Sequence, residues 1–472
     1  MFGLSFEMSF LLVVCLLAAC AFEFINGFHD TANAVATVIY TKSLKPNIAV
    51  IWSGIWNAVG VFVGGIAVAM GIIHLLPASA LIDSNIYHSV AMILALIITA
   101  IIWNLGTWYF GLPCSSSHTL LGSIFGVGIA YMFLPEAGTV ALNWMKVKDA
   151  GLSLLISPII GFGLTLGLMV LLQKYAYKYT DLFEHQPKKK HPPLGIRALL
   201  ILTCTSVSYT HGSNDGQKGV GLIMIILLAI VPAKFALNHS RSAEELVNSM
   251  YKIEHYVEKI NKDSLTIEDK LNCQLIEEKI SEVKEKLSGV KVFDSVSSKN
   301  AVVVRNNIAV IAKETNNVLS TNGNKPYLHL NDGEKKVLKQ ELSSIKGYVE
   351  FAPAWVIIMI SLSLGLGTMI GWKRIVHTVG EKIGKTPLTY AQGVSAQLVT
   401  SVTISMSSAL GLPVSTTHVL SSGVAGSMVA KEGLKNLRKK TVKNILTAWI
   451  ITLPVTVVLA GSIFLLLRWI MG

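Results

Sequence analysis

Gly27-Phe28-His29-Asp30-Thr31-Ala32-Asn33-Ala34-Val35 sets a carboxylate between two apolar runs, residues 8–25 and 31–40. The pattern returns 185 residues later as Gly212-Ser213-Asn214-Asp215-Gly216-Gln217-Lys218-Gly219-Val220. A second pair stands 300 residues apart: Gly111-Leu112-Pro113-Cys114-Ser115-Ser116-Ser117-His118-Thr119 and Gly411-Leu412-Pro413-Val414-Ser415-Thr416-Thr417-His418-Val419. The two offsets differ by 115 residues, close to the length of the charged stretch 233–350. The chain therefore reads as a duplicated unit with an insertion inside its second copy. Its expected parts are a first repeat at 1–193, the start of a second at 194–232, the insertion at 233–350, and the rest of the second repeat at 351–472.

Composition says where the duplicated unit lives. At 472 residues, 52% are hydrophobic and only 14% charged, against about a quarter charged in ordinary soluble domains. So few charges cannot cover a soluble surface of this size, and most of the chain is expected in lipid. Apolar stretches long enough for about 30 Å of hydrocarbon occur near 47–73, 88–112, 152–173, 351–372, 388–412 and 443–467. Shorter ones at 8–25, 31–40, 119–134, 194–208, 219–232 and 416–430 flank polar, Gly-rich sequence and read as halves of broken helices.

The insertion carries 18 Lys+Arg and 17 Asp+Glu, with apolar residues at helical spacing (Ile276, Ile280, Val283, Leu287). This predicts a soluble, mostly helical segment. It leaves 22 basic and 11 acidic residues elsewhere, so nearly all of the net charge of +12 belongs to the apolar part. The excess sits at Lys42/Lys45, at 174–197 with the triple Lys188–Lys190, at 373–385 and at 431–443. A positive-inside arrangement puts these clusters in the cytoplasm. Five crossings per half, with both termini and the insertion outside, satisfy it, as do other topologies if the short pairs are re-entrant. The charge orients the protein and does not imply nucleic acid. An odd count per copy would invert one copy against the other, the layout of many secondary transporters. The expected fold is thus an all-α polytopic membrane protein of two homologous, inverted repeats with broken or re-entrant helices, plus a soluble helical insertion.

Five scattered cysteines without Cys-x-x-Cys or Cys/His spacing indicate neither a disulfide framework nor a zinc site, and no resident metal is expected. The apolar run from Phe10 to Phe22 lacks a basic n-region and leads straight into the first polar motif, so it reads as a retained span.

Charge is so scarce in the spans that each instance carries weight. Asp30 and Asp215 lie at membrane depth, where a carboxylate is costly and usually serves an ion or proton path. Asn26, Asn33 and Asn214 nearby add oxygen ligands suited to a hard monovalent cation. The competing reading is a helix cap, since Asp before a helix satisfies orphan N–H groups. Recurrence in both copies favours the ion path. Glu23 has no counterpart, because Ser208 takes its place. It is either a hydrogen-bonded acid or a proton carrier. Lys218, where the first copy has Asn33, shares a helical face with Asp215 three residues earlier. It forms an internal ion pair or fills a place where a cation would bind.

In the hydroxyl motifs, Pro113 and Pro413 end one helix, and Ser115, Ser116, Ser117, Ser415, Thr416 and Thr417 start the next. Free N–H groups, the positive end of the helix dipole and several hydroxyls make an anion site without arginine. Ser and Thr are also routine N-caps, but two such starts facing one another would embrace one small tetrahedral anion. His118 and His418 either donate to an oxyanion or are structural.

These residues resemble the inorganic phosphate transporter (PiT) family, in its bacterial low-affinity, proton-coupled branch. The family's paired Gly-x-Asn-Asp and Pro-x-Ser-x-x-His motifs match best at Phe24–Thr37, Asn104–Gly126, Ser208–Gly221 and Tyr390–Gly426, within roughly 1–232 and 351–472. The resemblance implies a secondary transporter importing inorganic phosphate, or a neutral metal–phosphate complex, by symport with a cation, H+ or Na+, and with no cofactor. It implies a multi-pass protein of the bacterial inner membrane, partnered by phosphate and the bilayer, with room for a homodimer. Asp30, Asn33 and Asp215 would bind or relay the cation. Ser115–Thr119, Thr119 included, and Ser415–His418 would hold phosphate, and Gln397 could add a donor. His29 and Lys218 depart from the family's Asn at those places. Each removes a neutral oxygen ligand, which disfavours sodium and favours the proton.

Two other readings compete. A sulfate permease would use the same helix starts, although only phosphate can share a proton with Asp or His. An intramembrane phosphatase or phosphotransferase would need Arg or a metal-binding carboxylate cluster at the reacting group. All the arginines (Arg197, Arg241, Arg305, Arg374, Arg438, Arg468) lie at span ends or in the insertion, so no enzyme is expected.

Overall fold

The computed structural model describes residues 2–75, 85–135, 142, 144–176, 178–183, 192–262, 265–322 and 330–472. The triple Lys188–Lys190 lies outside them. The described residues form two compact units, one of 6–226 with 352–472, the other of 1–5 with 227–351.

In the first unit the chain runs α1 (Phe6–Tyr40), α2 (Pro46–Val63), α3 (Ala67–Ile73), α4 (Ile86–Tyr109), α5 (Ser116–Met132), α6 (Trp144–Tyr175) and α7 (Leu194–His211). A π-helical turn (Gly212–Gly216) joins α7 to α8 (Gln217–Ile230). After the short α9 (Pro232–Phe235), the second unit contributes α10 (Ala243–Glu258), α11 (Ile267–Lys286), α12 (Ser298–Asn322) and α13 (Asp332–Lys346). The first unit resumes with α14 (Ala354–Thr368), α15 (Lys373–His377), α16 (Tyr390–Ala409), α17 (Thr416–Glu432) and α18 (Lys439–Met471).

Five of these helices are long and apolar enough to cross a membrane among the described residues: α1, α2, α4, α6 and α18. A sixth span forms if α14 and the helix beginning at Lys373 count together, although they meet at 55°. The outer faces of α6 and α18 remain exposed at Leu155, Ile159, Leu171, Ile450, Val458 and Leu466, the surface a bilayer covers.

The helix order of 1–175 recurs in 194–230 followed by 354–471, and the halves interlock crosswise. α1 packs on α14 and α7 on α2; α6 packs on α17 and α18 on α5. Glycines set the close approaches. A Cβ on Gly27 would press into the backbone of Leu364–Thr368, and one on Gly212 into that of Asn57.

The breaks fall only partly where the sequence predicts. The stretch 8–40 is one continuous helix, and 194–230 is interrupted only by the π turn. Gly27 and Gly212 belong to helix crossings and do not end helices, so the polar residues beside them stay in register on a helix wall. The stretch 47–73 is two helices separated at Gly65, where φ is +80°. Gly371, at φ +72°, makes the matching bend after α14. The hydroxyl motifs do follow true breaks, with Gly111 and Gly411 at φ +65° and +67°. These left-handed conformations favour glycine.

The insertion unit buries Ile276, Ile280, Val283 and Leu287, the face predicted from spacing, with Leu246, Met250, Ile253 and Val257 of α10. Buried Arg305 ties together its two ends, donating to the carbonyls of Ala236 (3.1 Å) and Val349 (2.7 Å).

Candidate functional site

Asp30 sits in the C-terminal third of α1, on a stretch where Asn26 through Thr37 are all buried. Asp215 lies in the π turn, a local widening that recurs at functional sites, and is fully buried. An isolated buried carboxylate would be prohibitively costly, and the neighbours show how the cost is met.

Helix α5 presents Ser116 and Ser117, and helix α17 presents Thr416 and Thr417. Ser116 Oγ donates to Asp30 Oδ2 and Thr416 Oγ1 to Asp215 Oδ2, both at 3.3 Å. The next residues cross between copies. Thr417 Oγ1 donates to Asp30 Oδ1 at 2.5 Å, and Asn33 Nδ2 donates to Thr417 Oγ1 at 3.2 Å. In the mirrored place, the Lys218 ammonium meets Asp215 Oδ1 at 2.5 Å, Ser117 Oγ, and the Val414 carbonyl at 3.1 Å. The internal ion pair predicted between Lys218 and Asp215 is therefore present, and it reaches into the opposite copy's hydroxyl motif.

His211 joins the halves. Its Nε2 lies 3.3 Å from Asp215 Oδ2 and 3.5 Å from Asp30 Oδ2, while Nδ1 contacts Asn57 Oδ1 at 3.0 Å. Asp30, His211 and Asp215 offer ligand atoms all within 4.8 Å of one another, a spacing able to hold a cation. His29 Nδ1 stands 3.5 Å from Asp30 Oδ1, and its Nε2 meets Thr107 Oγ1 at 3.2 Å. Asn214, the counterpart of His29, donates to Ser408 Oγ at 3.0 Å. Glu23 is fully buried and accepts from Asn26 Nδ2 at 3.2 Å.

Not every hydroxyl faces the carboxylates. Ser115 and Ser415 are N-caps, accepting from the N–H groups of His118 (3.2 Å) and His418 (3.1 Å). Thr119 bonds back to the Ser115 carbonyl. The ring centroids of His118 and His418 lie 4.4 Å apart, and Trp449 stacks on His418 at 3.9 Å. Both imidazoles carry a buried nitrogen without a hydrogen-bond partner. The turns before α5 and α17 are braced by the long helix of the other copy: Trp449 donates to the Pro113 carbonyl and Ser153 to that of Pro413. Gln397 ties helices together instead. It donates to the Ala34 carbonyl at 2.6 Å and accepts from Thr203 at 2.7 Å.

Sequence reasoning missed His211. The signal was present, because the 185-residue offset aligns His211 with Asn26, one residue ahead of where the repeated motif was read.

Two helix starts bearing hydroxyls thus close on two buried carboxylates within an all-helical scaffold whose long apolar helices suit a membrane transport protein. A model described as the phosphate transporter family matches residues 26–460, and the chain belongs to that family. The low-affinity inorganic phosphate transporters PitB and PitA of Escherichia coli (strain K12) are 38% and 39% identical to it, each match covering 98% of this chain and 97% of the relative. A probable low-affinity inorganic phosphate transporter of Bacillus subtilis (strain 168) is 29% identical, covering 98% of each. A solved structure titled the sodium-dependent phosphate transporter aligns over 98% of this chain and 99% of its own, with a TM-score of 0.53 and 19% identity. That likeness concerns the fold alone. The family and these relatives are transporters, so the phosphatase reading falls away.

Proposed function

We propose that this protein imports inorganic phosphate across the bacterial inner membrane by symport with a cation, and that the cation is the proton. The observation that carries this reading is the closure of both hydroxyl-bearing helix starts on Asp30 and Asp215, with Thr417 and Lys218 crossing between copies. The backbone N–H groups at the starts of α5 and α17 would receive the phosphate oxygens. Ser116, Thr416 and Thr417 would exchange their carboxylate bonds for bonds to the anion, and Ser117 would turn from the Val414 carbonyl to which it donates at 2.7 Å. His118 and His418, with unpaired nitrogens beside those starts, would complete the cradle.

Coupling follows from the same contacts. Each carboxylate accepts hydroxyl bonds that phosphate would compete for, so loading a proton near Asp30 and releasing its hydroxyls to the substrate favour one another. His211 between Asp30 and Asp215 can pass that proton, and His29 lines the first carboxylate. A divalent metal–phosphate complex would lower the cost of moving phosphate's charge through the site. The two copies would be inverted in the membrane, exposing the site alternately to each side, with residues 233–350 as a soluble domain.

Asp30→Asn and Asp215→Asn should each abolish gradient-driven phosphate uptake in reconstituted vesicles while the protein still inserts. Wild-type rates in either variant would reduce these carboxylates to packing elements.

A further inference from the structure

Asn33 and Lys218 hold the same place in the two copies, 185 residues apart, in matching surroundings. Around Lys218 the three acceptors are Asp215 Oδ1, Ser117 Oγ and the Val414 carbonyl. An ammonium has three donors and no acceptor, so its valence is filled, and the residue is 2% exposed. In the other copy Asp30 stands for Asp215, Thr417 for Ser117 and Asn33 for the lysine. There Thr417 donates to Asp30, Asn33 Nδ2 donates to Thr417, and the buried Asn33 Oδ1 has no hydrogen-bond partner. The first copy thus has the oxygen set without the covalently tethered charge. The groups facing Asp30 from neighbouring residues are His29 and His211.

We propose that Lys218 is a built-in substitute for one coupling cation. Its ammonium permanently fills the second copy's cation place, leaving a single mobile positive charge per cycle, held in the first copy by Asp30, Asn33 and Thr417. This rests on the coupled-transport reading above. The mobile charge is either a proton on this set or a small alkali cation within it. Both satisfy the same carboxylate, which no lysine among the described residues reaches, and imposing pH and sodium gradients separately distinguishes them. Lys218 is on this account a residue that fixes coupling stoichiometry.

The test reads the coupling ratio as the exponent relating steady-state phosphate accumulation to the imposed cation gradient. It uses proteoliposomes held at zero membrane potential. Lys218→Asn installs the residue the first copy already carries and should raise the exponent by one. Asn33→Lys should lower it by one, and the double swap should return it to the wild-type value. An unchanged exponent in Lys218→Asn overturns the proposal. If a single swap yields protein that moves no phosphate, the double swap decides: restored transport at the wild-type ratio supports interchange of the two places, and failure to restore it overturns the idea. No phosphate movement by the wild-type protein under any gradient defeats the transport reading instead.

Discussion

The two copies of the carboxylate motif share a scaffold and differ in how they neutralise a buried charge. In the second copy Asp215 meets an ammonium at 2.5 Å. In the first, no ammonium among the described residues reaches Asp30, which is held by two hydroxyls and faced by His29 and by His211, an imidazole it shares with Asp215. One solution is permanent, because Lys218 cannot leave. The other is conditional in the proposed cycle, because hydroxyls can turn to a substrate. The two motifs differ, among other places, at Glu23/Ser208, Asn26/His211, His29/Asn214 and Asn33/Lys218, and the last difference is the one that sets a fixed charge against a variable one in the proposed cycle.

The largest test of this difference is Asp215→Asn. Removing one partner of a buried pair leaves the other uncompensated, at a cost of about 3–5 kcal/mol. The variant should lose far more thermal stability in detergent than Asp30→Asn, and adding Lys218→Asn should recover most of the loss. Equal losses in the two single variants would break the comparison.

Glycine-to-alanine changes at the crossings come next. Gly27→Ala and Gly212→Ala each drive a methyl into a neighbouring helix backbone, and overpacking of this kind costs about 1–3 kcal/mol. Similar losses at both are expected, because the crossings are related. A loss at one alone, measured by thermal unfolding, would show that the copies pack differently.

The hydroxyls should show the smallest stability effects and a sharp functional split. Ser115→Ala and Ser415→Ala remove caps worth about 1 kcal/mol and should lower stability while phosphate affinity holds. Ser116→Ala and Thr416→Val should change stability little and weaken phosphate binding, read as a rise in KM for uptake. The reverse pattern would exchange the roles assigned to neighbouring hydroxyls.

Much of this was legible in the sequence, for identifiable reasons. The all-helical apolar architecture, the buried carboxylates and the Asp215–Lys218 pair follow from spacing and from the scarcity of charge in apolar segments. The insertion's buried face follows from helical periodicity. The continuity of α1 did not follow, because a glycine beside polar residues looks the same whether it ends a helix or admits a neighbour. Only the crossing partner, far away in sequence, distinguishes them. The caps at Ser115 and Ser415 are local and stand in the sequence as one of two readings, whereas the bracing by Gln397 depends on where three-dimensional neighbours fall. His211 was hidden for a different reason, since its partner in the repeat, Asn26, is not itself ionisable.

The most direct measurement is uptake of radiolabelled phosphate into proteoliposomes holding the purified protein, with pH and sodium gradients imposed separately. Accumulation driven by an inward proton gradient, unaffected by a sodium gradient, is the predicted result. Absence of phosphate uptake under either gradient, with sulfate carried in its place, would contradict the account.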